Sequence, residues 1–173
     1  MARTSLRLPV GLIISATTAL VVLGLAWAGM WWLSRPPIPA SIAKQLHFGV
    51  YYPASAKTVT INESSWTYND KLAQCVFTVQ YAGRSITFSQ QAVPAQFTDI
   101  PEFYSKYLDK LRSSGSFENS QGRVYITRPL EVDRQTAVLN NRGTLLYAQA
   151  DKDLPESDWK YLMGHLKFFD PNE

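Results

Sequence analysis

Two histidines, one cysteine and a set of scattered carboxylates are the side chains of this 173-residue chain that could do acid–base, nucleophilic or metal chemistry. His47 and His165 stand far apart in sequence, and no Cys, Asp or Glu cluster surrounds either at ligand spacing. No H-E-x-x-H and no C-x-x-C occurs, so no metal site is expected and each histidine reads as solvent-facing or capping. Cys75 is alone, which excludes an internal disulfide, and it lies in an apolar strand-like run where it reads as a small core residue. Neither a G-x-S-x-G elbow nor a phosphate-binding glycine loop is present. The pairs Asp151/Asp153 and Glu131/Asp133 fall in turn-like segments, where carboxylates are usually solvated. The expectation is a chain without catalytic residues or cofactor. The alternative is an enzyme whose dispersed carboxylates only folding brings together.

Binding chemistry has more candidates. Ser89-Gln90-Gln91, followed by Pro94, is a polar patch at the end of an apolar run. Its amides can recognise a peptide backbone, or they can be satisfied internally where the strand leaves for a loop. Tyrosine suits binding surfaces, which adds Tyr51 and Tyr52 to the candidate partner-binding residues. The other reading of these, and of Tyr104, Tyr107, Tyr125 and Tyr147, is a core edge with the hydroxyl reaching water. Asn62-Glu63-Ser64 is a glycosylation sequon, relevant only in a glycosylating host.

The sequence pI near 9.0 suggests a polyanion partner until charge is counted by segment. With Arg3 and Arg7 set aside, residues 34–173 carry 15 basic against 14 acidic side chains. No basic face and no RNP-like aromatic motif is visible, which argues against nucleic acid.

The segment that positions everything else is the apolar run from Leu8 to Leu33, which contains no charged residue. As a helix from Val10 it would be about 36 Å long, enough to cross a hydrocarbon core of about 30 Å. Trp31 and Trp32 fall at interface depth. Arg3, Arg7 and the α-amino group precede the run, whereas Arg35 and Lys44 follow it. That bias places the N-terminus in the cytoplasm and the remainder outside. The rival reading is a cleavable signal ending at Ala26-Trp27-Ala28. The run exceeds a usual h-region of about 7–15 residues, which favours an uncleaved anchor. The expected organisation is a cytoplasmic tail (1–8), a transmembrane helix (9–33) in contact with membrane lipid, a Pro-rich linker (34–39) and an extracytoplasmic domain (40–173).

Within that domain, alternation and turn residues predict strands at Phe48–Pro53, Lys57–Asn62, Leu72–Tyr81 and Ser85–Gln91, the last two joined through Ala82-Gly83-Arg84. Further strands are expected at Gly122–Thr127, Gln135–Leu139 and Thr144–Ala150, with a turn at Asn140–Gly143. Asp99-Ile100-Pro101-Glu102 and Asp153-Leu154-Pro155-Glu156 each read as a capped helix start. The first helix would carry Phe103, Tyr107, Leu108 and Leu111 inward and stop at Ser113-Ser114-Gly115. The second would run to about Phe168 with Trp159, Leu162, Met163 and Leu166 facing inward. The fold class expected is α+β, a mostly antiparallel sheet with two main helices packed on one face.

The two halves echo each other. The helix starts match at identical spacing, Ser85–Gln91 parallels Thr144–Ala150, and Val50-Tyr51-Tyr52 parallels Val124-Tyr125-Ile126. A duplicated strand–hairpin–helix unit accounts for this, and so does independent use of the same capping and strand chemistry.

Together, Val50-Tyr51-Tyr52-Pro53, Ile86–Gln91 with Pro94, Val124-Tyr125-Ile126 and Thr144-Leu145-Leu146 behind one N-terminal span give the chain its character. It resembles small uncharacterised single-pass membrane-anchored envelope proteins of candidate-phylum bacteria. The resemblance implies a bacterial envelope location and carries no catalytic residues. The expected function is an extracytoplasmic domain that binds a protein or peptide partner. An envelope enzyme and a structural subunit of an envelope complex are the alternatives.

Overall fold

The computed structural model describes residues 36–54 and 58–173. The expected tail (1–8), transmembrane helix (9–33) and first linker residues lie outside them. Among the described residues no helix is long and apolar enough to cross a membrane. The elements are α1 (Ala40–Ala43), β1 (Val50–Pro53), β2 (Val59–Asn69), β3 (Gln74–Tyr81), β4 (Arg84–Ala92), α2 (Ala95–Asp99) and α3 (Pro101–Lys110). They continue with β5 (Ser113–Asn119), β6 (Gly122–Thr127), β7 (Thr136–Asn141), β8 (Thr144–Ala150), α4 (Glu156–Gly164) and β9 (Leu166–Phe169). A seven-stranded antiparallel sheet has the order β2-β3-β4-β8-β7-β6-β5, and β1 pairs with β9 in a separate ribbon. The fold is α+β.

Two hairpins form the centre of the sheet. Both turn through two residues with positive φ, Ala82 (50°) and Gly83 (73°) in one, Arg142 (48°) and Gly143 (74°) in the other. This is the turn geometry that matches the twist of the strands it joins. β4 pairs with β8 in a register centred on Ser89 opposite Tyr147. Advancing the first hairpin by 60 residues reproduces the second, with Val79↔Ile86 becoming Leu139↔Leu146 and Tyr81↔Arg84 becoming Asn141↔Thr144. The echo read between Ser85–Gln91 and Thr144–Ala150 is one residue out of this register. A one-residue slip exchanges the two faces of a strand.

Those faces carry different loads. On the first face Trp66 stacks on Phe77 at 3.9 Å and Phe77 on Phe88 at 5.0 Å. Val124, Ala137, Leu139, Leu146 and Ala148 continue the same core, closed by Trp159, Leu162 and Met163 of α4. Tyr161 of α4 stacks on Tyr81 of β3 at 5.8 Å, while the ammonium of its neighbour Lys160 lies 5.9 Å from the Phe117 ring of β5. β3 and β5 are five strand spacings apart, about 24 Å in a flat sheet, against about 10–12 Å for the width of a helix. One helix touches both, so the sheet curls around it. The ribbon fills the same trough, since Thr144 Oγ1 donates to the Gly49 carbonyl and Gln121 Nε2 to that of Leu166.

The second face holds a smaller core of Leu108, Val138 and Leu145 with Phe97, Tyr104, Leu111, Tyr125 and Tyr147. Here α2 and α3 cover β8, β7 and β6. The two main helices therefore lie on opposite faces, not on one. The linkers decide it, since Val93 and Phe97 after β4 pack into the second-face core and Leu154 after β8 packs into the first-face core.

Other expectations are corrected by local chemistry. Neither helix uses its aspartate as a cap. Asp99 closes the short α2, and Ile100 in extended conformation precedes α3 without a side-chain cap. Pro155 precedes α4, while Asp153 pairs with Arg128. α4 ends at Gly164, and residues 166–169 become the strand that satisfies β1, because a buried strand needs partners for its amides. Ser113-Ser114-Gly115 does not simply stop α3 but opens the edge strand β5.

Candidate functional site

Alternation along β4 separates the expected binding residues. Gln90 points into the first-face core and is fully buried. Its Oε1 accepts from the Tyr51 N–H at 2.7 Å, and its Nε2 donates to the Tyr51 carbonyl at 2.8 Å. Gln90 does recognise a peptide backbone, namely that of β1 in its own chain. Tyr51 and Tyr52 are buried as well, with Tyr51 packed against Phe168 at 4.8 Å. These three side chains are interior. Ser89 and Gln91 emerge on the opposite face, where the Ser89 hydroxyl accepts from Gln74 Nε2 at 2.8 Å.

Gln91 belongs to a cavity of about 520 Å³ between β4, β8 and the α2–α3 pair. Its apolar wall is Phe97, Phe103, Leu145 and Pro94. Lys106 and Lys110 line it from α3, and Tyr107 and Tyr147 line it from α3 and β8. The volume lies within the range of about 300–1,000 Å³ usual for ligand sites. Phe103 is 48% exposed, so this part of the rim is apolar. Beyond Gln91 the face over β3 and β4 is partly exposed, presenting Gln74, Thr78, Gln80, Thr87 and Ser89 around Val76.

The electrostatics of the cavity are one-sided. Its lining contains no carboxylate, and among the described residues Lys106 and Lys110 form no ion pair. The Tyr107 and Tyr147 hydroxyls are 2.6 Å apart. Burial and the Tyr107 hydroxyl push the Tyr147 phenol well above the ordinary tyrosine range, and burial does the same to Tyr104. The raised Tyr147 phenol therefore keeps its proton at neutral pH. One O–H donates to the other, which leaves the second proton for another acceptor. The polar lining thus offers ammonium, amide and phenol donors.

A smaller cavity of about 210 Å³ lies under edge strand β5, lined by Phe117, Gln135, Trp159 and a single carboxylate, Glu156. Glu156 accepts from Lys160 at 2.6 Å. Ser157-Asp158-Trp159-Lys160 and Ser41-Ile42-Ala43-Lys44 have the S-x-x-K spacing of some serine nucleophiles. In the first, Lys160 is engaged by that ion pair with Glu156. In the second, Ser41 and Lys44 are exposed on a four-residue helix. His165 is the C-cap residue of α4, with Nδ1 2.7 Å from the Tyr161 carbonyl, and His47 is exposed. Burial pushes the Cys75 thiol up to about 12. Among the described residues no group of three or more His, Cys, Asp or Glu converges.

Lys106 and Lys110 were not singled out by sequence reasoning. Their signal was an i, i+4 repeat on the same face as Phe103 and Tyr107. No protein-family model matches the chain, and neither a curated protein nor a solved structure matches it.

Proposed function

We propose that this chain is a single-pass envelope protein of the cell membrane, with its N-terminus cytoplasmic, whose outer domain holds a protein or peptide partner in the cavity beside α3. The anchor rests on the uncharged run from Leu8 to Leu33 and the preceding Arg3 and Arg7. The observation that carries the binding reading is the cavity itself, an apolar-walled recess with convergent donors at the margin of a partly exposed, largely polar half-sheet. An enzyme working through carboxylates is supported less. The cavity beside α3 holds none, the one under β5 holds a single, paired glutamate, and a recess at the β2–β3 turn holds only Asp70.

The test is co-purification of the full chain from detergent-solubilised membranes, beside a Gln91→Trp variant that fills the cavity from a partly exposed position. A partner retained by the parent and lost by the variant is the expected result. A partner retained equally by both contradicts the placement of the site.

A further inference from the structure

We propose that the segment taken by this cavity is acidic, an Asp or Glu side chain beside an apolar residue, with the carboxylate held by Lys106 and Lys110. This rests on the partner-binding reading above and goes further by naming the chemistry of the partner. Three observations carry it. First, both charged residues of the lining are cations, and no carboxylate in the lining competes for them. Second, Lys106 and Lys110 stand one turn apart on the same face of α3. Lys110 suits the last turn, but like charges at that spacing repel each other, a cost that a carboxylate bound between them would remove. Glu102 lies one turn before Lys106 and yet forms no ion pair with it among the described residues. Third, the remaining polar groups are the Gln91 and Gln96 amides and the free proton of the Tyr107–Tyr147 pair, and all can donate to a carboxylate. Phe97 and Phe103 supply the apolar surface on which a neighbouring side chain would lie.

The experiment is selection of short random peptides displayed on phage against the full chain in neutral detergent micelles. It is repeated on Lys106→Gln/Lys110→Gln, on Gln91→Trp and on Lys71→Gln, an exposed lysine in the β2–β3 turn. The expected result is enrichment of peptides pairing Asp or Glu with an apolar residue. Their affinity should fall on the order of tenfold in the double lysine variant, weaken with added salt, and stay unchanged in Lys71→Gln. Enrichment of peptides without acidic residues that Gln91→Trp abolishes would overturn the acidic assignment and leave the binding reading standing. No enrichment on any form would overturn both. Displacement of bound acidic peptides by phosphatidylglycerol vesicles, with vesicle binding dependent on both lysines, would assign the cations to a lipid surface and overturn the proposal.

Discussion

The Gln90 side-chain amide pairs with both backbone groups of Tyr51, at 2.7 Å and 2.8 Å, and so takes the place of a neighbouring strand for β1. β9 is the partner of β1 on its other side. Through this side chain, together with Thr144 and Gln121, the seven-stranded sheet grips a ribbon that joins the two ends of the domain.

Gln90→Ala should therefore cost more than a lost surface amide. It leaves a buried N–H and a buried carbonyl without partners, each worth about 1–3 kcal/mol. A destabilisation of at least about 2 kcal/mol is expected in urea unfolding of the full chain. A loss below about 0.5 kcal/mol, the scale of an ordinary surface change, would show that β1 is held by β9 and side-chain packing alone.

Trp159 is fully buried, and its indole donates to Gln135 Oε1 at 2.7 Å. The same oxygen accepts from the Leu154 N–H at 2.8 Å, tying the start of α4 to the strand below it. Trp159→Ala should cost about 3–5 kcal/mol, and Trp159→Phe less, since most of the ring volume remains. Equal melting temperatures for Trp159→Ala and the parent would contradict this packing.

The pH dependence follows from buried thiol and phenol groups. Cys75 is pushed up to about 12 from an ordinary 9.0, and Tyr104 and Tyr147 are raised from 10.0, all chiefly by burial. Above pH 9 the unfolded chain releases protons that the folded chain retains, so stability falls as pH rises. The contribution of these groups is fully present below pH 9. Melting temperature should decline from pH 9 toward 11, and Cys75→Ala should remove the earliest part of that decline. Cys75 should resist iodoacetamide at pH 8 in the folded protein and react in urea. Rapid labelling of the folded protein would contradict its burial.

Much of the sheet was legible in the sequence because β-alternation and the Ala82-Gly83 and Arg142-Gly143 turns are local signals. The inward stripe of α4 was legible for the same reason, with Trp159, Leu162 and Met163 all buried. What was not legible depends on tertiary context. Ser113–Asn119 has weak strand composition and pairs only because β6 offers an edge. Residues 166–169 read as a continuation of the helix until β1 is known to lie beside them. The face taken by each helix goes with the core its linker joins, Val93 and Phe97 in one and Leu154 in the other. The candidate site divided likewise. Gln90 and Gln91 are adjacent in sequence, yet pleating sends one to the core and the other to the cavity.

Orientation is tested by protease added to intact spheroplasts. The expected outcome is digestion of the domain with survival of the N-terminal tail. A soluble product beginning near Gly29 would favour a cleaved signal over an anchor.

The central claim, a partner held at the cavity beside α3, is tested most directly by a photo-crosslinking residue placed at Phe103 in growing cells. Phe103 lines the cavity and is half exposed, so the substitution leaves the cores intact. The account expects a discrete crosslinked species from Phe103 that disappears when Gln91→Trp is added, and none from the same residue at Lys71. An identical pattern from both positions, or none from Phe103, would contradict it.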